Sequence, residues 1–354
     1  MLESPVLDLQ RKAGAVLKEE FGWRVSASYS TPEDEYAAAT LGVGIVDRSY
    51  LGRLEITGGD AIDLLDRLST NNLADLEQNG TMGTVLTTNK GRVIDLLFVN
   101  RREDGLLVLT GPTTRTRVLE WIDFYTIMED VTTRDATEET AMLSLIGDKA
   151  ADALPDSARR LSLHTSTSAH IEGVDALVMR SDFAGVLGYD IVVALADAPT
   201  VWSSLVEAGA LPVGTQTVDL IRIERGLPVA VRDFGEDYNP LEANLLEFIS
   251  FSKGCYIGQE VVARLNTYDK VQKRLMGLSW ASENEVDPGA ELYADDKKVG
   301  VLTSAVKSRR LSSGIGLGYV RKAQAEAGVE LCARTDDREV VVTVSELPFV
   351  TSKD

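Results

Sequence analysis

The run Lys253-Gly254-Cys255-Tyr256-Ile257-Gly258-Gln259-Glu260 holds one of the two thiols of the chain in a glycine-flanked turn, directly ahead of a helix-forming stretch. Glycines on both sides permit backbone conformations and close approaches that a side chain would block. Gln259-Glu260-Val261-Val262-Ala263-Arg264-Leu265 then combines good helix formers with an apolar face. A cysteine so placed meets the unpaired N–H groups of a helix start and the ammonium of Lys253. Both favour thiolate, the nucleophilic and metal-binding form, while Glu260 in the first turn opposes it. The pattern predicts an accessible, reactive Cys255 with Lys253 as its cation; a small buried cysteine in a structural turn is the other reading.

Other chemistries fit less well. The second thiol, Cys332, sits in the alternating run Val329-Glu330-Leu331-Cys332-Ala333 and reads as a strand residue, so no disulfide is expected. His164 and His170, the two histidines, share a Ser/Thr-rich stretch, which makes a histidine base or a histidine metal cluster a poor fit. No resident metal is expected. With 55 acidic against 36 basic residues and a net charge of −19, attraction to nucleic-acid phosphate or anionic lipid is disfavoured. No apolar run approaches the roughly 20 residues of a membrane span. The start, Met1-Leu2-Glu3-Ser4-Pro5, lacks the basic and apolar stretches of a leader, and a cytoplasmic location is expected.

The elements that must position this turn follow from the patterning of the chain. Thr31-Pro32-Glu33 opens a helix that turns into Ile45-Val46-Asp47, and Arg53 to Thr57 alternates like a half-buried strand. Asp60 precedes an amphipathic helix with Ile62, Leu64, Leu65 and Leu68 inward. Strands are expected over Met82 to Thr88, Arg92 to Asn100 and Leu106 to Thr110, separated by the turn signals Asn89-Lys90-Gly91 and Glu103-Asp104-Gly105. A helix after Pro112 runs through Val118, Leu119, Ile122 and Phe124. Further strands at Ala176 to Arg180 and Tyr189 to Ala194 precede a helix through Trp202 and Leu205. Asn239-Pro240-Leu241-Glu242 reads as a capping box opening a helix with Leu241, Leu245 and Phe248 inward. From Lys273 onward, short strands with glycine punctuation indicate an all-β C-terminal region.

The cysteine octapeptide, followed by Val261-Val262-Ala263-Arg264 and preceded by Asn239-Pro240-Leu241-Glu242-Ala243-Asn244-Leu245, resembles the YgfZ family of folate-binding proteins of iron–sulphur protein maturation. That family is a branch of the superfamily of the glycine-cleavage T protein, an aminomethyltransferase. Val46-Asp47-Arg48-Ser49, the stretch Gly58 to Asn72, Leu220 to Leu227 and Gly300-Val301-Leu302-Thr303-Ser304 are similar to other superfamily segments. The resemblance implies an α+β protein of three parts: residues 1–145 plus 215–268 as a discontinuous folate-binding unit, 146–214 as an inserted ferredoxin-like unit, and 269–354 as a β-barrel. Tetrahydrofolate or a derivative is the implied cofactor, held in a cleft among the parts.

Carried over by the same resemblance, Asp95 faces the folate nitrogens and Asp190 accepts hydrogen bonds from the pterin. Thr70, Asn71, Glu242, Tyr256 and Gln259 complete the cofactor site, with Cys255, Lys253 and Asp95 as the chemical groups. From pattern alone, Asp95 reads as an outward strand residue alternating with Val93 and Leu97, Asp190 as a strand-start residue, and Thr70, Asn71 and Asn72 as helix-ending caps. The sequence also departs from the T protein. A second acid after Asp95 is replaced by Leu96, two loop acids by Val186 and Leu187, and an arginine before Asp219 by Val218. These losses argue against aminomethyl transfer. The implied function is a monomeric folate-binding accessory protein for iron–sulphur enzymes, partnered by reduced folate and iron–sulphur client proteins. The alternatives are a folate-dependent aminomethyl- or methyltransferase served by a lipoylated carrier protein, and a non-catalytic folate-binding regulatory module.

Overall fold

The computed structural model describes residues 1–335 and 338–351. The chain divides into two compact units: residues 1–68, 72–84 and 96–218 form one, and residues 69–71, 85–95 and 219–354 the other.

The first unit is organised by a six-stranded sheet in the spatial order Ser166–Ile171, Val174–Arg180, Gly188–Ala194, Thr140–Ile146, Gly44–Asp47, Leu211–Pro212. Neighbours are antiparallel except the last pair. Period-two alternation in Thr140–Ile146 sends Ala141, Leu143 and Leu145 into one core with Val201, Trp202 and Leu205 of the helix Ala198–Glu207. Met142 on the opposite face packs with Met179 and Val192. Ser144 and Asp190 are register partners on adjacent strands. Alternation places them on the Met142 face, a polar pair on an otherwise apolar surface. The helix Pro32–Thr40 begins as expected, with Thr31 accepting the Asp34 N–H. The helix Ala61–Leu68 buries Ala61, Leu64, Leu65 and Leu68. Arg115–Tyr125 forms the helix expected after Pro112 and buries Val118 and Ile122, but Phe124 is 71% exposed; two residues past Ile122, it lies off the buried stripe.

A five-stranded sheet runs Thr81–Thr87, Val93–Arg102, Gly105–Thr110, Gly52–Thr57, Thr132–Asp135. Asn89-Lys90-Gly91 lies between consecutive strands, Glu103-Asp104 links the next pair with Gly105 opening the second strand, and residues 85–95, including the first of these turns, belong to the second unit.

The second unit carries a closed barrel: Lys273–Ala281, Ser313–Arg321, Lys297–Ser308, Glu291–Ala294, Glu330–Thr335, Arg338–Ser345. Leu278, Leu292, Val320 and Val342 fill its core. The four-residue strand Glu291–Ala294 escapes sequence reading because it is too short to show a period. The mixed architecture with a C-terminal barrel is the α+β class expected. One element differs. The Asn239–Glu242 capping box forms, with Asn239 Oδ1 accepting the N–H groups of Leu241 and Glu242, but the expected helix stops after one turn. Asn244 takes a left-handed φ of 59°, which breaks propagation, and Leu246–Phe248 follows as a 3-10 turn. Leu241 and Leu245 are buried; Phe248 is half-buried.

Candidate functional site

The cysteine turn is built by close backbone approach. Gly258 stands at the N-cap of the helix Gln259–Thr267 with φ +88°, and a Cβ there would lie 2.7 Å from Thr88 O and 3.1 Å from Gly91 Cα. No other residue fits without strain. Gly254 differs: nothing lies within 4 Å of a Cβ there, so packing does not require a small residue. Thr87 Oγ1 donates to Ile257 O at 2.6 Å, fastening the turn to the hairpin, and Val262 packs with Leu241, Ile249 and Val271. Cys255 itself is exposed, which excludes the buried structural reading of this thiol.

Lys253 ties the turn to residues 69–71. Its ammonium donates to Ser69 O at 3.1 Å and Asn71 O at 2.6 Å, and stands 5.6 Å from the Tyr256 ring centroid. Tyr256 is 8% exposed, and burial pushes its hydroxyl up to about 12. Gln259 Nε2 donates to Gly254 O at 3.2 Å, bracing the turn from within.

Residues 69–71 are pinned from several sides. Thr70 Oγ1 donates to Phe248 O at 2.6 Å and accepts the Val85 N–H at 3.0 Å; Thr70 N donates to Val85 O, and Ser250 N to Thr70 O. Thr70 is fully buried. These residues therefore join the hairpin to the segment leading into Cys255, rather than merely ending the preceding helix. Asp95, on the strand leaving that hairpin, is 0% exposed, as are Val93 and Leu97. The outward-facing reading is thus corrected: a carboxylate is held in an apolar strand face, an arrangement proteins tolerate only with hydrogen-bond partners. Glu242 is occupied structurally, with Oε2 accepting the Asn239 N–H at 3.1 Å and lying 3.6 Å from Arg92 Nη1. Asp219 pairs with Arg222 at 2.6 Å and with Arg232, and Arg222 reaches the fully buried Asp233 at 2.7 Å.

Asp190 lies in the first unit, so the structure gathers Thr70, Asn71, Asp95, Glu242, Lys253, Cys255, Tyr256 and Gln259 in one unit and Asp190 in another. Asp190 is 2% exposed, and its Oδ1 accepts from Arg48 Nη1 at 2.7 Å and Ser144 Oγ at 2.5 Å. The Arg48 guanidinium stacks 3.8 Å from the Phe183 ring centroid. Two donors on one oxygen fix the orientation of the carboxylate. In the sequence Arg48 stands out only within the Val46–Ser49 motif and Ser144 not at all; the register of Thr140–Ile146 against Gly188–Ala194, seen only in the structure, pairs Ser144 with Asp190. Among the described residues no group of three or more His, Cys, Asp or Glu side chains could hold a metal ion.

The GCVT N-terminal domain family matches residues 6–253, and the glycine cleavage T-protein C-terminal barrel domain matches residues 273–351. The chain belongs to the glycine-cleavage T-protein family. Among curated T-protein relatives, an aminomethyltransferase of Rubrobacter xylanophilus is 30% identical over 99% of this chain and 94% of its own length. A putative chloroplastic transferase of Arabidopsis thaliana is 30% identical over 99% of this chain and 80% of its own. An aminomethyltransferase of Halalkalibacterium halodurans is 27% identical over 98% and 97%. The crystal structure of the glycine cleavage system aminomethyltransferase T from Bartonella henselae superimposes with a TM-score of 0.89 at 20% identity, covering 99% of this chain and 98% of that one. This last likeness establishes that the T-protein fold is shared from end to end.

Proposed function

We propose that this chain is a tetrahydrofolate-dependent one-carbon transferase that moves an aminomethyl or methyl group in the cytoplasm. Aminomethyltransferases of the family use tetrahydrofolate, and relatives bearing that name match this chain over nearly its full length. The observation that carries the reading is Asp190, a buried carboxylate oriented by Arg48 and Ser144. An oriented carboxylate suits the amino and ring N–H groups of a pterin. Reduced folate, when bound, supplies ring nitrogens that accept the one-carbon unit. Asp95, fully buried in the other unit, is the second carboxylate that the family resemblance assigns to the folate. A lipoylated carrier protein is the donor partner in this reading.

The earlier departures keep their force within it. Val186 and Leu187 replace the acids of the glycine loop, so the group transferred need not be the aminomethyl of glycine cleavage. Titration calorimetry with reduced folates tests the core of the proposal: Asp95→Ala and Asp190→Ala should each weaken binding by about 1–3 kcal/mol. No binding of any reduced folate at millimolar concentration would remove the cofactor. Methylenetetrahydrofolate formation from aminomethylated carrier protein then decides which group moves.

A second reading is supported by the exposed thiol of Cys255 on its fixed turn: a YgfZ-type accessory role in iron–sulphur enzyme maturation or repair. The cluster would be cargo, since one cysteine cannot enclose it and protein-held clusters take about four thiolates or equivalents. Complementation of iron–sulphur enzyme activity in cells lacking the endogenous factor separates this role from transfer chemistry.

A further inference from the structure

Near the first barrel strand, two cations stand beside a tyrosine stack with fewer acceptors than donors. Tyr238 and Tyr319 lie face to face, centroids 3.6 Å apart and planes 8° from parallel. Tyr319 is 1% exposed and its hydroxyl donates to Asp233 O at 2.8 Å, so the stack has a fixed base. The ammonium of Lys273 stands 4.0 Å from the Tyr238 centroid and 5.3 Å from that of Tyr319. Lys273 is half-buried, and among the described residues its ammonium meets only ring faces, without hydrogen-bond acceptor or ion pair. An ammonium carries three N–H donors, and ring faces satisfy none of them as hydrogen-bond acceptors of full strength.

Arg92 is the neighbouring cation, its side chain 44% exposed. One N–H goes to Asp237 O at 3.0 Å, and Glu242 Oε2 at 3.6 Å already accepts the Asn239 N–H. The charged groups that act on Lys273 are thus Glu242, Arg92 and Asp237. Burial first, and Arg92 with it, hold the Lys273 ammonium below the usual lysine range, although both carboxylates pull the other way. The site lacks acceptors even with Glu242 and Asp237 present.

We propose that Lys273 and Arg92, beside the Tyr238 ring, form a binding site for a carboxylate. A planar carboxylate offers paired acceptors to the guanidinium fork and a full charge to the ammonium. Glu242 and Asp237 offset the two cations, so the planar, paired acceptors of a carboxylate and not net charge set the preference. The carboxylate can come from a free small acid or from the glutamate tail of a folate; the second source rests on the folate reading above.

Calorimetry on the full chain separates these cases, using acetate, inorganic phosphate, free tri-γ-glutamate, pteroate, and mono- and triglutamyl reduced folate. Expected for the tail is that triglutamyl folate binds about tenfold more tightly than monoglutamyl, and that Lys273→Met abolishes the difference while Lys273→Arg keeps most of it. Pteroate should bind Lys273→Met as it binds the parent chain, with an unchanged melting temperature. If free carboxylates bind and lose affinity in Lys273→Met, but tail length has no effect, the site stands and the tail as its source is overturned. If carboxylates bind but no reduced folate does, the site stands and the folate reading falls. If folate binds while no carboxylate probe or tail length distinguishes Lys273→Met from the parent chain, or if phosphate outcompetes every carboxylate, the proposal is overturned.

Discussion

Lys253 Nζ donates to the carbonyl of Asn71 at 2.6 Å across 182 residues of sequence. With the companion bond to Ser69 O, this makes the ammonium a tie between residues 69–71 and the cysteine turn. Hydrogen bonds from a charged donor contribute about 1.5–3 kcal/mol each, less where water competes. Lys253→Met should therefore lower stability by about 1–3 kcal/mol by denaturant titration. A variant as stable as the parent chain would contradict this tie.

Gly258 and Gly254 flank the same thiol but differ physically. Gly258→Ala must adopt φ near +88° and push its Cβ to 2.7 Å from Thr88 O, so a loss of about 1–3 kcal/mol is expected. Gly254→Ala faces open space and should stay within about 0.5 kcal/mol of the parent chain. Equal melting temperatures for the two variants would contradict the packing described.

What the sequence disclosed and what it hid divide along sequence separation. The Asn239–Glu242 capping box was legible because all its partners lie within three residues, whereas the failure of its helix depended on Asn244 adopting a left-handed conformation, which few local signals announce. Cys255 stood out through its glycines. The tasks of Lys253 and of Arg48 did not, since their partners lie 182 and 142 residues away and only tertiary folding brings them near. Asp95 looked outward because it was set against Val93 and Leu97, whereas residues two apart share a strand face and all three are buried together. The exposure of Phe124 could have been anticipated: Val118 and Ile122 are four apart on one helical stripe, and Phe124 is two further on.

Tyr256 supplies an alkaline signature. Its hydroxyl ordinarily ionises near 10 and is raised to about 12 in the folded chain by burial. Between those values the folded state holds a proton that the unfolded state releases. The contribution of Tyr256 is thus fully present below pH 10 and is lost as pH rises through 12. Stability measured by denaturant titration should fall across this window, and Tyr256→Phe should fall less steeply. An identical slope in the variant would show that other tyrosines carry the effect.

Cys255→Ser distinguishes the two functional readings. Serine is nearly isosteric with cysteine and the side chain is exposed, so melting temperature and folate affinity should be nearly unchanged. The hydroxyl is barely ionised at neutral pH and is a poor ligand for soft metals, so any chemistry that needs thiolate should disappear. If the chain works as a one-carbon transferase through Asp95 and Asp190, the serine variant should retain transfer activity within about threefold, since neither carboxylate depends on the thiol. If it serves iron–sulphur enzymes, the variant should bind folate normally yet fail to support those enzymes in cells lacking the endogenous factor. The same purified variant, taken through melting, folate titration, the transfer assay and complementation, assigns the thiol. Full complementation by serine would show it dispensable for maturation, and loss of transfer with intact folate binding would place it in the transfer chemistry itself.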